Sequence, residues 1–407
     1  MSLKINLRHI RVSVLLVAFF ILGTGFGYWS GRNNIHFSLK GQPQVTIDRT
    51  LPADKQDLDF GLFWTVWDSL GQRYLEKSAV VPKQMIFGAI KGMTAALGDP
   101  YTVFLPPEEN SQAKEDLNGA FDGVGIQLGY SEDQVLSVVA PLEGTPAKRA
   151  GVRAGDLILK IDEKVTDGVS LPEAVKLIRG PKGTSVKLTL LHENEGQPFE
   201  VSLNRQTIVV PSVELAFVED GRIAHLKLTR FGDRTNEEWL TAVEKIVTAE
   251  KLEGIVLDMR NNPGGYLSGA VFISSEFLSD GVVVQQQSSG GGRETFSVDR
   301  VGKLTGQPVA VLINKGSASA SEIVAGALKD HGRAKVVGEV SYGKGTVQEA
   351  EDLPGGSGLH ITVAKWLTPE GNSIDKEGIA PDVEVTDDPE SEDVDEQLLK
   401  AVELLLD

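Results

Sequence analysis

Three alternating serines, one lysine set between glycines and a glutamine four residues further on are the residues of this chain best suited to chemistry. The serines lie in Gly316-Ser317-Ala318-Ser319-Ala320-Ser321-Glu322-Ile323, and the lysine in Gly343-Lys344-Gly345-Thr346-Val347-Gln348. A serine hydroxyl becomes a nucleophile when a neighbouring base takes its proton. Burial among small residues disfavours the charged form of an amine, so Lys344 is the candidate base. The histidines, His9, His36, His192, His225, His331 and His360, lie in no G-x-S-x-G or H-E-x-x-H context. A Ser–His–Asp triad assembled in space is therefore the weaker alternative. Gln348 can orient the amine by a hydrogen bond, or be an ordinary glutamine on a strand. The implied chemistry is that of a Ser–Lys hydrolase.

These residues need a scaffold. Val309–Ile313 reads as a buried strand, and a helix is expected from about Ala320. Ser319 followed by Glu322 also fits a helix capping box. Capping and catalysis are compatible, because a helix start offers free backbone N–H groups and a favourable dipole to a developing oxyanion. Spacing alone does not choose among Ser317, Ser319 and Ser321. A second buried strand, Gly254 to Met259, runs into Asn261-Asn262-Pro263-Gly264-Gly265, a turn with unhindered backbone amides. Asp258 and Arg260 read as a structural pair. Gly338 to Gly345 nearly spells the phosphate-binding pattern G-x-x-x-x-G-K-S/T, but Gly345 stands where the hydroxyl residue is required and a strand is expected to follow. Nucleotide binding is rejected.

The 407 residues allow two or three domains. A net charge of −17 argues against nucleic-acid or anionic-membrane partners. The absence of cysteine removes thiol nucleophiles, disulfides and Cys-ligated metals. Lys4, Arg8 and Arg11 precede an uncharged stretch, Val12 to Gly31, closed by Arg32 and long enough for a bilayer core. Residues 1–31 are read as an anchor, with a cleaved signal peptide as the alternative. Everything after Arg32 is then expected outside the cytoplasm. Residues 32–57 read as a tether and 58–116 as a helical part of the body, with Pro82 as a helix start. Residues 386–407 read as an acidic tail with a terminal helix. From Ile208, strands and helices alternate at 223–228, 235–249, 254–259, 267–278, 309–313, 320–330 and 335–338, the rhythm of an α/β core with a largely parallel sheet.

Between 117 and 206, short apolar runs are cut by glycine, with a helix at 171–179 and a last strand at Ser185–Leu191. Gly144-Thr145-Pro146-Ala147 and Ala150-Gly151-Val152-Arg153-Ala154-Gly155-Asp156 make this segment resemble a PDZ domain. The resemblance implies a groove in which Gly123, Val124, Gly125 and Ile126 capture a peptide's terminal carboxylate. Leu128, Leu171, Val175 and Ile178 are expected to line it.

Ser-Ala-Ser-Ala-Ser-Glu, the lysine 25 residues after Ser319, the Asn-Asn-Pro-Gly-Gly turn and Leu97-Gly98-Asp99-Pro100-Tyr101 together resemble the carboxy-terminal processing (tail-specific) proteases. That resemblance spans about 58–385. It selects Ser319 as nucleophile, adds Gln348 as third member of the site, and implies an oxyanion hole from the N–H groups of Gly265 and Ala320. It further implies a crotonase/ClpP-like spiral core over 207–385 and protein substrates with unstructured apolar C-termini. No metal or other cofactor is required, and a homo-oligomer is compatible with the sequence. Two other classes compete: a PDZ peptide-binding adaptor with an inactive protease-like body, and a crotonase-type acyl-thioester enzyme.

Overall fold

The computed structural model describes residues 59–131, 133–192, 196–386 and 394–407. The anchor expected at Val12–Gly31, the tether over 32–57 and most of the acidic stretch from Asp387 lie outside the described residues. Among the described residues, no helix is long and apolar enough to cross a membrane. The chain forms two compact units, one ending at Val80 and one covering Val81–Asp407. In the first, the helix Gly61–Arg73 carries Phe63 and Trp64 edge to face at 5.0 Å.

The second unit begins with the helix Pro82–Ala95. Pro82 occupies its first position, where a missing N–H costs nothing. The turn Gly98–Thr102 leads into a short strand, Val103–Leu105, and then into a helix, Pro107–Asn118, that ends on left-handed Gly119. Six strands follow as one sheet, in the order Ile126–Tyr130, Leu136–Pro141, Leu157–Ile161, Ser185–Leu191 and Phe199–Asn204, with Lys164–Val165 also paired to Leu157–Ile161. Ser185–Leu191 is therefore not the last strand; Phe199–Asn204 pairs antiparallel with it. Gln206–Val209 then returns to pair with Ala120–Gly123, so the chain enters and leaves this segment side by side. Val138, Ile158, Val186, Leu188 and Leu190 are buried in its own core.

The remaining core is a six-stranded sheet ordered Val213–Val218, Ile223–Leu228, Gly254–Asp258, Val309–Ile313, Lys335–Gly338 and Val383–Glu384. Its first pair is antiparallel and the other four are parallel. Gly254–Asp258 and Val309–Ile313 are buried throughout, because both sheet faces are covered. Ile255, Leu257, Val309, Val311 and Ile313 pack with residues of the helices Thr235–Val247, Leu267–Phe277 and Ala320–Asp330. Val256, Ala310, Leu312 and Val337 point the other way and meet Ala401 and Val402 of the terminal helix Glu396–Leu406.

A second sheet was not legible in the sequence. Its order is Val103–Leu105, Gly358–Leu367, Val282–Ser288 and Arg293–Ser297, with Thr346–Asp352 also paired to Gly358–Leu367, all antiparallel. Much of it is polar or half-exposed, as at Gln285-Gln286-Gln287 and Arg293–Ser297, so no apolar run announces it.

Candidate active site

Three neighbouring parallel strands deliver the candidate residues at their carboxyl ends. Gly254–Asp258 leads to the glycine turn, Val309–Ile313 to the serines and Lys335–Gly338 to the lysine. Crevices beyond the carboxyl ends of parallel strands are where α/β sheets build their sites.

The three serines differ in their surroundings. Ser317 is fully buried and its Oγ donates to the Met259 carbonyl at 2.8 Å. Ser321 is also fully buried, its Oγ donating to the Asn262 carbonyl at 2.9 Å. Ser319 alone of the three reaches solvent. It precedes the helix Ala320–Asp330 with φ 56 and ψ −115, a conformation that β-carbon residues rarely hold without support. The support comes from both sides. The Ala318 N–H donates to the Asn262 carbonyl at 3.0 Å, and the Ser319 N–H donates to Glu322 Oε2 at 2.6 Å.

The glycine turn and the serine loop come together here, through Gly264. A β-carbon on Gly264 would stand 2.8 Å from Ser319 Cβ and 2.9 Å from the Ala320 nitrogen. Gly264 itself is held by Asn262, whose Oδ1 accepts its N–H at 2.9 Å and whose Nδ2 donates to the Leu228 carbonyl at 2.7 Å. The N–H groups of Gly265 and Ala320 donate to no acceptor among the described residues. An unpaired donor at a helix start suits an anionic oxygen.

Lys344 lies in a loop fastened to the serine helix by one carboxylate. Glu322, fully buried, accepts from the Ser341 hydroxyl (2.6 Å) and the Gly343 N–H (2.6 Å) through Oε1. Through Oε2 it accepts from the Lys344 N–H (3.0 Å) as well as from Ser319. Burial pushes the Glu322 carboxyl up, and these four donors only partly offset it. The sequence showed Glu322 as a capping residue; its bridge to the lysine loop needed the fold. Gly345 leaves no room for a side chain, since a β-carbon there would lie 2.6 Å from Asp375 Cα. The Lys344 amine is pushed down from its ordinary value by burial, against the charges of Glu322 and Asp99. Its Nζ sits over the ring of Tyr101, 5.0 Å from the centroid.

Gln348 lies on the strand Thr346–Asp352. Its Nε2 donates to the hydroxyls of Thr346 (2.9 Å) and Thr362 (3.1 Å). Those bonds fix the amide plane and leave Oε1 as the acceptor an ammonium can use; no Gln348–Lys344 hydrogen bond is present. Asp99 and Tyr101, in a segment read only as a helix end and a family likeness, are also at the site. No local pattern marks them, because they arrive from more than 200 residues away.

Asp258 and Arg260 form the expected pair, with Arg260 Nη2 donating to Asp258 Oδ2 at 2.7 Å. Arg260 also reaches Asp395, at the start of the terminal helix, and His225 Nε2 lies 3.0 Å from Asp258 Oδ2. In the separate six-stranded segment, Gly123, Val124, Gly125 and Ile126 line a cavity of about 100 Å³ together with Leu128, Leu171, Val175 and Ile178. Phe121 and Arg179 close its rim.

Residues 222–385 match Peptidase family S41, and residues 137–191 match the PDZ domain. The carboxy-terminal processing protease CtpA of Bacillus subtilis (strain 168) is 35% identical over 332 residues, covering 81% of this chain and 70% of that one. The carboxy-terminal-processing protease of Bartonella bacilliformis is 40% identical over 311 residues, covering 74% and 70%. A putative S41 protease from Bacteroides fragilis shares the fold, with a TM-score of 0.51 at 16% identity over 79% of this chain and 90% of that one. The chain belongs to the carboxy-terminal processing proteases of peptidase family S41, and is a serine peptidase carrying a PDZ domain.

Proposed function

We propose that the enzyme takes protein substrates by their free C-terminal tails and cleaves peptide bonds with Ser319 as nucleophile and Lys344 as base. The observation that carries this reading is Ser319 at a helix start, packed against Gly264 where the turn admits no β-carbon, with the Gly265 and Ala320 N–H groups unpaired among the described residues. Ser319 Oγ attacks the scissile carbonyl carbon while Lys344 Nζ takes its proton. The carbonyl oxygen becomes an oxyanion between the two N–H groups. Collapse breaks the C–N bond as Lys344 returns the proton to the leaving amine, and water then releases the acyl group from Ser319. Gln348 Oε1 orients the amine.

The same reading assigns capture of the tail carboxylate to the Gly123–Ile126 backbone, with Leu171, Val175 and Ile178 taking an apolar side chain. It takes the parallel core as a crotonase-like spiral of βα units. It places the enzyme on the outer face of a membrane, held by residues 12–31.

The test is cleavage of an unstructured peptide by Ser319→Ala, Ser321→Ala and Lys344→Ala, with labelling of the hydroxyl by a fluorophosphonate. Ser319→Ala and Lys344→Ala should lose cleavage, and Ser319→Ala should lose the label, while Ser321→Ala keeps both. Loss of the label in Ser321→Ala with retention in Ser319→Ala would overturn the assignment.

A further inference from the structure

The proposed base is not poised on its serine. Lys344 Nζ sits over the face of Tyr101, within the range at which an aromatic ring attracts a cation. That ring is held from two directions. The Tyr101 N–H donates to Asp99 Oδ1 at 3.0 Å, and Thr102 Oγ1 donates to Asp99 Oδ2 at 2.6 Å. Thr102 Oγ1 in turn accepts the Thr362 N–H at 3.0 Å, and Thr362 is the residue whose hydroxyl holds Gln348. On the other side the Tyr101 phenol lies beside Tyr342, two residues before Lys344. The Tyr342 N–H donates to the Ser317 carbonyl at 2.9 Å. One aromatic ring is thus tied to the serine loop, the lysine loop and the glutamine strand together.

We infer that Tyr101 is a positioning residue whose ring face holds the Lys344 ammonium, so that the lysine must lose its proton and leave the ring before it can serve Ser319. The inference rests on Lys344 as the base. A quadrupole attracts the charged amine and has little hold on the neutral one, so the ring sets the pH above which the enzyme works. Other groups bear on the same amine. Asp99, from the Tyr101 loop, and Glu322, from the serine helix, favour its charge, whereas burial opposes it. His360, on the strand Gly358–Leu367, is pushed down by burial and by the Lys344 charge. Burial and Tyr342 push the Tyr101 phenol up to about 12, with Asp375 and Glu322 adding to the effect, so the ring stays uncharged.

The experiment is the pH dependence of kcat/KM, which reports ionisations of the free enzyme. It is measured for the full chain with a peptide ending in a free carboxylate, for wild type, Tyr101→Phe, Tyr101→Leu, Tyr101→Trp and Lys344→Ala. Removing the ring face should move the midpoint of the rising limb down by about half a unit to one unit in Tyr101→Leu, or about three- to tenfold more neutral amine below the midpoint. Tyr101→Phe keeps the face and should keep the wild-type midpoint. Tyr101→Trp offers a stronger face and should move it up. A Tyr101→Leu enzyme with an unmoved midpoint and a lower plateau would reduce Tyr101 to a structural role and overturn the inference. A Tyr101→Phe midpoint that falls with that of Tyr101→Leu would overturn it too, since the phenol would then be the acting group. If Tyr101→Leu does not fold, the Phe and Trp profiles decide: Trp at or below the wild-type midpoint overturns the inference. Lys344→Ala with wild-type rates would instead strike the base assignment, and so is told apart from failure of the inference alone.

Discussion

Gly264→Ala should disable the enzyme without removing a single hydrogen-bonding group. Gly264 has φ 99, and a β-carbon there would lie 2.7 Å from the Ala318 carbonyl oxygen, 2.8 Å from Ser319 Cβ and 2.9 Å from the Ala320 nitrogen. Comfortable carbon contacts are about 3.5–4.0 Å, so the two loops must part by roughly 1 Å. All three contacts are to backbone or to a β-carbon, and no flexible side chain can swing aside. Strain at this φ costs about 1–3 kcal/mol and overpacking about 1–3 kcal/mol more. A domain stable by about 5–15 kcal/mol survives that. The separation moves the Gly265 N–H away from the Ala320 N–H, and losing one oxyanion donor lowers kcat about 10²–10³-fold. The assay is steady-state cleavage of a fluorogenic peptide beside urea unfolding. Gly371→Ala is the control: its φ is 88, but nothing lies within 4 Å of its β-carbon position, so stability should drop with kcat unmoved. A folded Gly264→Ala enzyme with wild-type kcat would refute the oxyanion assignment.

Glu322→Gln puts an amide NH2, which can only donate, where a carboxylate oxygen accepts two donors, so one pair of its four bonds is lost in either amide orientation. It should lower kcat at least tenfold with little change in KM; an unchanged kcat would show that the bridge between the serine and lysine loops is dispensable. Amidating a substrate's C-terminus should raise KM by about 10- to 150-fold, the 1.5–3 kcal/mol of a hydrogen bond to a charged group. Gly125→Ala should erase that difference, because its β-carbon would fall 2.3 Å from Thr145 Cβ; retained discrimination would place tail capture elsewhere. For acid stability, burial alone would raise the Asp258 carboxyl, but hydrogen bonds from His225 and Arg260 and the Arg260 charge hold it well below the usual carboxylate range. A depressed carboxyl contributes stability above its unfolded pKa that is lost as pH falls through the folded value. Urea midpoints should therefore fall with acid in the wild type and fall less steeply in Asp258→Asn; parallel curves would deny Asp258 that part.

The legible parts of the site were those written in contiguous residues. Val309–Ile313 and Gly254–Asp258 are unbroken apolar runs, each followed at once by its functional turn, so strand and motif could be read together. Sequence spacing left the three serines equivalent. Their separation is a matter of burial: Ser317 and Ser321 point inward to the carbonyls of Met259 and Asn262, which belong to the neighbouring turn. The antiparallel sheet escaped because Gln285-Gln286-Gln287 and Arg293–Ser297 carry polar side chains on half-exposed strands. Phe199–Asn204 was legible in principle, since Phe199, Val201 and Leu203 alternate with polar residues and share one face.

That second sheet explains why the lysine could be named from its loop while its environment could not. Thr346–Asp352 and Val103–Leu105 both pair with Gly358–Leu367, and this strand is where the glutamine, the Thr362 hydroxyl and the Tyr101 turn converge. A parallel core by itself can set a nucleophile beside an oxyanion hole, since both lie at the ends of adjacent strands. It cannot supply the groups that tune the base, which must approach from above those ends. The antiparallel sheet carries them there, and it does so with residues near position 100 and near position 360 that meet only once the chain has folded. Control of the lysine is thus a tertiary property, whereas the identity of the lysine is a local one. Substitutions within Gly98–Thr102 should accordingly act on the pH profile through Lys344, and substitutions within Asn261–Gly265 should act on kcat at every pH.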